Sequence, residues 1–133
     1  LDFKDYKNLF NYSFGKIYCY DNYVVGQLHT DVVVNNEIAT KILNDINEFY
    51  GKNKIVFISN REFGHAVEPK VYKLVDSKMI VGIAIIGTSK EQKMQAASEQ
   101  SLYSGSFGYF NNVESAVEWA SSFVSENPDS LLN

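Results

Sequence analysis

Arginine is almost absent from this chain: Arg61 stands alone beside eleven lysines. Cys19 is the only cysteine, so an internal disulfide is impossible and a thiolate-rich metal site has no ligands. His29 and His65 are the only histidines, and neither they nor the scattered carboxylates follow a metal-ligand spacing. A net charge of -4 with no basic block gives nucleic acid no electrostatic footprint. No apolar run approaches the roughly 18 residues of a membrane span. The opening stretch "LDFKDYKNLFNYSFG" lacks the apolar segment of a signal peptide, and the absence of a leading methionine is compatible with trimming upstream. These absences lead us to expect a cytoplasmic protein with no membrane or nucleic-acid partner, no metal and no cofactor.

What is present suits one globular domain. Apolar residues make up 45% of 133, aromatics 14% and charged residues 21%, enough to bury a real core. We expect a single domain over residues 1–133, with a core at about 8–125 and a polar tail over 126–133 that leaves the fold at Pro128.

Periodicity predicts the elements. "KIYCYD" and "YVVGQLHT" read as strands split by a tight turn at Asp21 and Asn22. In the second, Val24, Gly26 and Leu28 face one way while Tyr23, Val25, Gln27 and His29 face the other. Asn35 or Asn36 caps a helix running to Tyr50, with an apolar stripe of Ile38, Ile42, Leu43, Ile46, Phe49 and Tyr50, and Gly51 ends it. "KIVFIS" is a strand, and Pro69 opens a short helix, "PKVYKLVDS". "MIVGIAIIG" is apolar on both faces and so belongs inside a sheet. Ser89 with Gln92 has the form of a capping box, opening a helix to about Tyr103. "SFGYF" is a last strand and "NNVESAVEWASSFV" a closing helix, with Val113, Ala116, Val117, Ala120, Phe123 and Val124 inward. The order β-β-α-β-α-β-α-β-α predicts an α/β fold with a mixed sheet, mostly parallel, and right-handed helical crossovers.

Two stretches, "FISNREFGHAVEPKVY" and "YFNNVESAVEWA", resemble the STAS-like superfamily of anti-sigma-factor antagonists and CRAL-TRIO lipid carriers. The chain is most similar in this respect to small STAS-like domain proteins of Bacteroidetes. The resemblance implies strands in roughly sequential order and helices mainly on one face, and it implies no activity. The antagonists switch by phosphorylation of a serine after the third strand. Ser59 holds that place, but the surrounding motif is missing and about nine loop residues separate it from the next helix.

In open α/β sheets, ligands sit outside the carboxyl ends of the parallel strands. Ser59, Asn60 and Arg61 should lie there with Thr88 and Ser89, where free helix N–H groups and the lone guanidinium would suit a small anion; His65 lies in the same loop. The competing expectation is that Glu62 or Glu68 occupies Arg61 and stiffens the loop. His29 and His65 lack the neighbours of a general acid or base, so no catalytic residue is assigned. Cys19, between Tyr18 and Tyr20, reads as a packed small hydrophobe, and Trp119 as core or interface. "GTSK" at 87–90 is not a phosphate loop, and the glycines of "GSFGYF" relieve a strand bend rather than cradle a cofactor.

The expected function is therefore a non-enzymatic binding or regulatory domain, with a protein partner or small anion near residues 59–68. The alternative is a carrier of a small apolar or lipid-like ligand, and a small enzyme comes third. Tyr18, Tyr20, Tyr23 and Val25 need cover, from a second copy in a homodimer or from Phe3, Tyr6, Leu9, Phe10 and Phe14 of the N-terminal segment.

Overall fold

Asn35 shows how local chemistry sets the frame. Its side-chain oxygen accepts from the Ile38 N–H at 2.9 Å, opening helix α1 (Asn36–Tyr50), which Gly51 closes at φ 61°. The computed structural model describes residues 4–62 and 64–125, which puts Phe3 and the 126–133 tail with Pro128 outside the described residues. α1 buries Ala39, Ile42, Ile46 and Tyr50. Phe49 falls off the expected stripe: it is 43% exposed and meets Phe10 edge-on.

Six strands form one sheet in the order β1 (Asn8–Tyr12), β2 (Gly15–Cys19), β3 (Tyr23–Leu28), β5 (Ile55–Asn60), β7 (Ile80–Ile86), β8 (Ser106–Phe110). The first three are antiparallel neighbours and the last four run parallel, so the sheet is mixed and its strand order sequential. β7 lies between β5 and β8, in the interior position its two-faced apolarity predicts. Ala84 and Ile85 have no exposure at all.

α1, a 3-10 helix (Pro69–Leu74) and α2 (Lys90–Gln100) cover one face, over Ile17, Val24, Ile55, Ile83 and Ile85. α3 (Val113–Ser125) covers the other, packing Ala116 and Ala120 on Val25, Val56, Ile58, Ala84 and Ile86. Helices thus lie mainly on one face. Each fully buried isoleucine contributes about 1.5–3 kcal/mol of transfer free energy, so the two-sided sheet is the main stabilising layer. Gly82 leaves room for Trp119, whose ring stands 3.1 Å from where a Cβ would lie, and Gly108 for Phe110, whose ring stands 2.8 Å from such a position. Trp119 thus packs, half-buried, against the core on the α3 side, and the glycine of the last strand serves packing. Side chains of Phe123 and Val124 lie outside the described set.

The structure adds elements that the pattern did not announce. The N-terminal segment forms β1 and extends the sheet. Phe10, Tyr12 and Phe14 pack with the α1 side, while Tyr6 meets Tyr18 edge-on at 5.5 Å between ring centroids. Leu9 sits opposite Tyr18 in the ladder. Tyr18, Tyr20 and Tyr23 remain half-buried beside α3, while Val25 is fully buried. Two residues each, β4 (Val33–Val34) and β6 (Ala66–Val67), form a second small parallel sheet. α2 stops at Gln100, short of Tyr103, whose hydroxyl turns inward to donate to the Ile80 carbonyl.

Candidate functional site

The carboxyl end of β5 delivers Ser59 and Asn60 to opposite faces by strand alternation, and Arg61 follows. Residues 61–68 do not hang free. Ala66 N–H donates to Val32 and Glu68 N–H to Val34, so β6 is stitched to the chain just ahead of α1. That stitching turns His65 inward, where it is 6% exposed, and sets Val34 and Val67 facing the sheet.

Arg61 is 4% exposed, and its carboxylate is Glu99, near the far end of α2. The guanidinium forks onto it, Nη1 to Oε2 at 2.5 Å and Nη2 to Oε1 at 2.7 Å. Glu99 also accepts from the Tyr72 hydroxyl and from Gln95 Nε2 at 3.2 Å. Arg61 Nε donates to Ser59 Oγ at 3.1 Å, and Ser59 Oγ lies 3.3 Å from His65 Nε2. A buried ion pair is tolerable only when its remaining donors and acceptors are satisfied, and here Tyr72, Gln95 and Ser59 complete it. The expectation that Glu62 or Glu68 holds Arg61 is corrected: Glu62 is exposed, and Glu68 lies 3.7 Å from Lys70 at the surface.

The helix start at Ser89 is occupied as well. Ser89 Oγ accepts from Gln92 N–H at 3.1 Å, while Gln92 Oε1 accepts from the N–H groups of Thr88 at 2.6 Å and Ser89 at 3.1 Å. Gln92 Nε2 then donates to the Arg61 carbonyl at 2.5 Å. The donors proposed for an anion thus serve an internal capping box. Of the six candidate residues, Ser59, Arg61 and His65 come together. Asn60 faces the α3 side with its Oδ1 accepting from Glu62 N–H, and Thr88 and Ser89 stand with Gln92.

Burial sets the titration here. It pushes the His65 imidazole down to about 4, aided by the Arg61 charge, so the ring is neutral at neutral pH. Burial alone would raise Glu99, but its bonds from Arg61, Tyr72 and Gln95 outweigh that and hold it below the ordinary carboxylate range. Burial also raises the Tyr72 phenol, and it lifts the Cys19 thiol to about 11, far from nucleophilic. His29 is exposed. Among the described residues, no three metal-ligating side chains converge, and no helix is long and apolar enough to cross a membrane.

Beside the network lies a cavity of about 90 Å³ between the sheet and α1. Leu28, Val34, Ile42, Val71 and Ile83 are among its apolar walls, and Ser59, Arg61, His65 and Tyr72 form its polar end. Sequence reading missed Tyr72, Gln95 and Glu99. A signal existed: Gln92, Gln95, Ala96 and Glu99 recur at helical spacing on α2, a polar stripe where an inward face was needed.

No protein-family model matches the chain, and no curated protein matches it. A similar solved structure is that of an uncharacterized protein of the DUF3478 family with a SpoIIAA-like fold, from Shewanella loihica PV-4. The two share 12% identity at a TM-score of 0.57, covering 90% of this chain and 98% of that one. A likeness at such identity speaks for the fold alone, and it agrees with the sequential mixed sheet described above. The chain has a SpoIIAA-like fold.

Proposed function

We propose that this protein is a non-enzymatic binding module that holds a small, mostly apolar molecule between its sheet and α1. The observation that carries the reading is the cavity: about 90 Å³, apolar along its walls, with Ser59, Arg61, His65 and Tyr72 gathered at one end. Small-molecule sites have this composition, apolar walls with a few convergent polar groups. The size restricts the guest. A space of roughly 150 Å³ holds the six carbons of benzene, so a body of about four carbons at most fits here without rearrangement.

Two further features support binding over catalysis. A general acid or base works best with a pKa near the operating pH, and His65 sits at about 4. Arg61 and Glu99 satisfy one another and so are not poised toward a reacting group. A protein partner at residues 59–68 finds less to grip, since Ser59, Arg61 and His65 all turn inward.

The test is native mass spectrometry of protein purified without detergent from the cells that naturally make it. We expect a small adduct on the wild type that is missing from Ala39→Leu, because Ala39 lines the cavity and a larger side chain fills it. A wild type with no adduct, or an adduct that survives Ala39→Leu, would count against the cavity as the site.

A further inference from the structure

We infer that residues 65–75, a strap made of β6 and the 3-10 helix, are the door of the cavity and that Glu99 is the latch that holds it shut; the inference rests on the cavity reading above. The walls differ in how they are held. One is the six-stranded ladder, which contributes Ile83. Another is α1, fifteen residues long and closed at both ends by caps, which contributes Ile42. The third is the strap, which brings Val67, Val71 and Tyr72. Its first half is tied to β4 by a two-residue pairing, with the N–H groups of Ala66 and Glu68 on the Val32 and Val34 carbonyls. Its second half is 3-10, a form with poorer hydrogen-bond geometry than the α-helix, and Glu68 gives it no side-chain cap. Gly64 stands just ahead at φ 98°, where the backbone turns with a freedom that a side chain would remove. A segment with so few ties is the first part of a wall to open.

Glu99 offsets that weakness from α2. Its carboxylate takes the Arg61 fork just ahead of the strap and the Tyr72 hydroxyl within it, so one side chain fastens both the root and the middle. The two ties are unequal. Parting Arg61 from Glu99 would leave two buried charges uncompensated. Tyr72 gives a single bond, and once it lets go, Glu99 Oε1 still accepts from Arg61 Nη2. Opening therefore releases Tyr72 and the β4–β6 pairing while the ion pair stays whole, and the root of the strap keeps its place for reclosing.

Isobutane, a four-carbon body, is the probe, and its exchange between water and the cavity of the full chain is followed by NMR at the methyl signals of Ile42 and Ile83. Two variants read latch and door separately. Tyr72→Phe keeps the ring without the hydroxyl and should speed release about tenfold or more, the worth of a hydrogen bond to a charged group. Val33→Cys with Ala66→Cys bolts β6 to β4: the two residues are exposed and stand opposite one another in the register. Neighbouring strands about 4.8 Å apart lie within reach of a disulfide, and the native Cys19 is buried. The oxidised form should release isobutane at least about tenfold more slowly, and reduction should restore the wild-type rate at unchanged affinity. Equal rates in the oxidised and reduced forms would overturn the strap as the door. A wild-type rate in Tyr72→Phe would overturn Glu99 as the latch, and the bolted variant decides where Tyr72→Phe fails to fold. Both of those results leave the cavity reading standing, because isobutane still binds. If the wild type binds no isobutane, the cavity reading falls and this inference with it.

Discussion

Arg61 and Glu99 stand 38 positions apart in the chain and meet in a two-bonded fork, both side chains shut away from water. The pair fastens the carboxyl end of β5 to the last turns of α2. Removing one member leaves the other charge buried and uncompensated, at a cost of about 3–5 kcal/mol. Arg61→Met and Glu99→Leu should each lose stability on that scale in urea unfolding. The double variant should lose far less than the sum, because neither charge remains. Simple additivity would mean that the fork contributes no coupling.

Stability should fall as pH drops from neutral toward 4. His65 is neutral in the folded state down to about 4, whereas in the unfolded chain it takes a proton near 6.5. Its folded pKa is depressed, so the unfolded state binds the extra proton and stability rises with pH across that window. The loss between those limits is on the order of 3 kcal/mol. Glu99, also depressed, gives up its contribution only as pH falls below its unfolded value near 4.5. Denaturation midpoints between pH 7 and 5 should therefore slope in the wild type and flatten in His65→Leu. An equal slope in both would assign it to other groups.

Ile85 sits in the middle of β7 with no exposure. Truncation to alanine should cost about 2–5 kcal/mol, transfer and cavity terms together, read from chemical denaturation. A cost under about 1 kcal/mol would mean that the α1 side of the sheet collapses around the gap.

Sulfate should raise the melting temperature no more than chloride at equal ionic strength. The Arg61 charge is matched by Glu99 and the N–H groups of Thr88 and Ser89 face Gln92, so an anion finds no uncompensated charge there. Sulfate-specific stabilisation that vanishes in Arg61→Ala would show that the fork opens to admit an anion.

Much of the architecture was legible because it rests on short-range chemistry. The Asn35 and Ser89 caps, the Gly51 stop and the two-faced run of β7 depend on neighbours within a few residues. The interior of the site was not legible, for the opposite reason. Glu62 and Glu68 were the natural partners for Arg61 by distance along the chain, yet the crossover through β7 brings Glu99 against it instead. β4 and β6, at two residues each, are too short to show a period, and β1 mixes Asn8 and Asn11 into its alternation. The cavity has no sequence signature, because it is a space left between α1 and the sheet.

Sequential strand order has a consequence for how the chain acquires its shape. Each main strand pairs with the one made just before it, β2 on β1, β3 on β2, then β5, β7 and β8 in turn. No strand must be inserted between two that are already paired. A chain emerging from its N-terminal end can therefore add one strand at a time to a standing edge, paying for each loop closure singly. The antiparallel meander, whose contacts are the most local, supplies the first edge, and the parallel half grows from β3 as each helix is completed. Assembly can thus follow the direction of synthesis, with only one unfinished border at any moment.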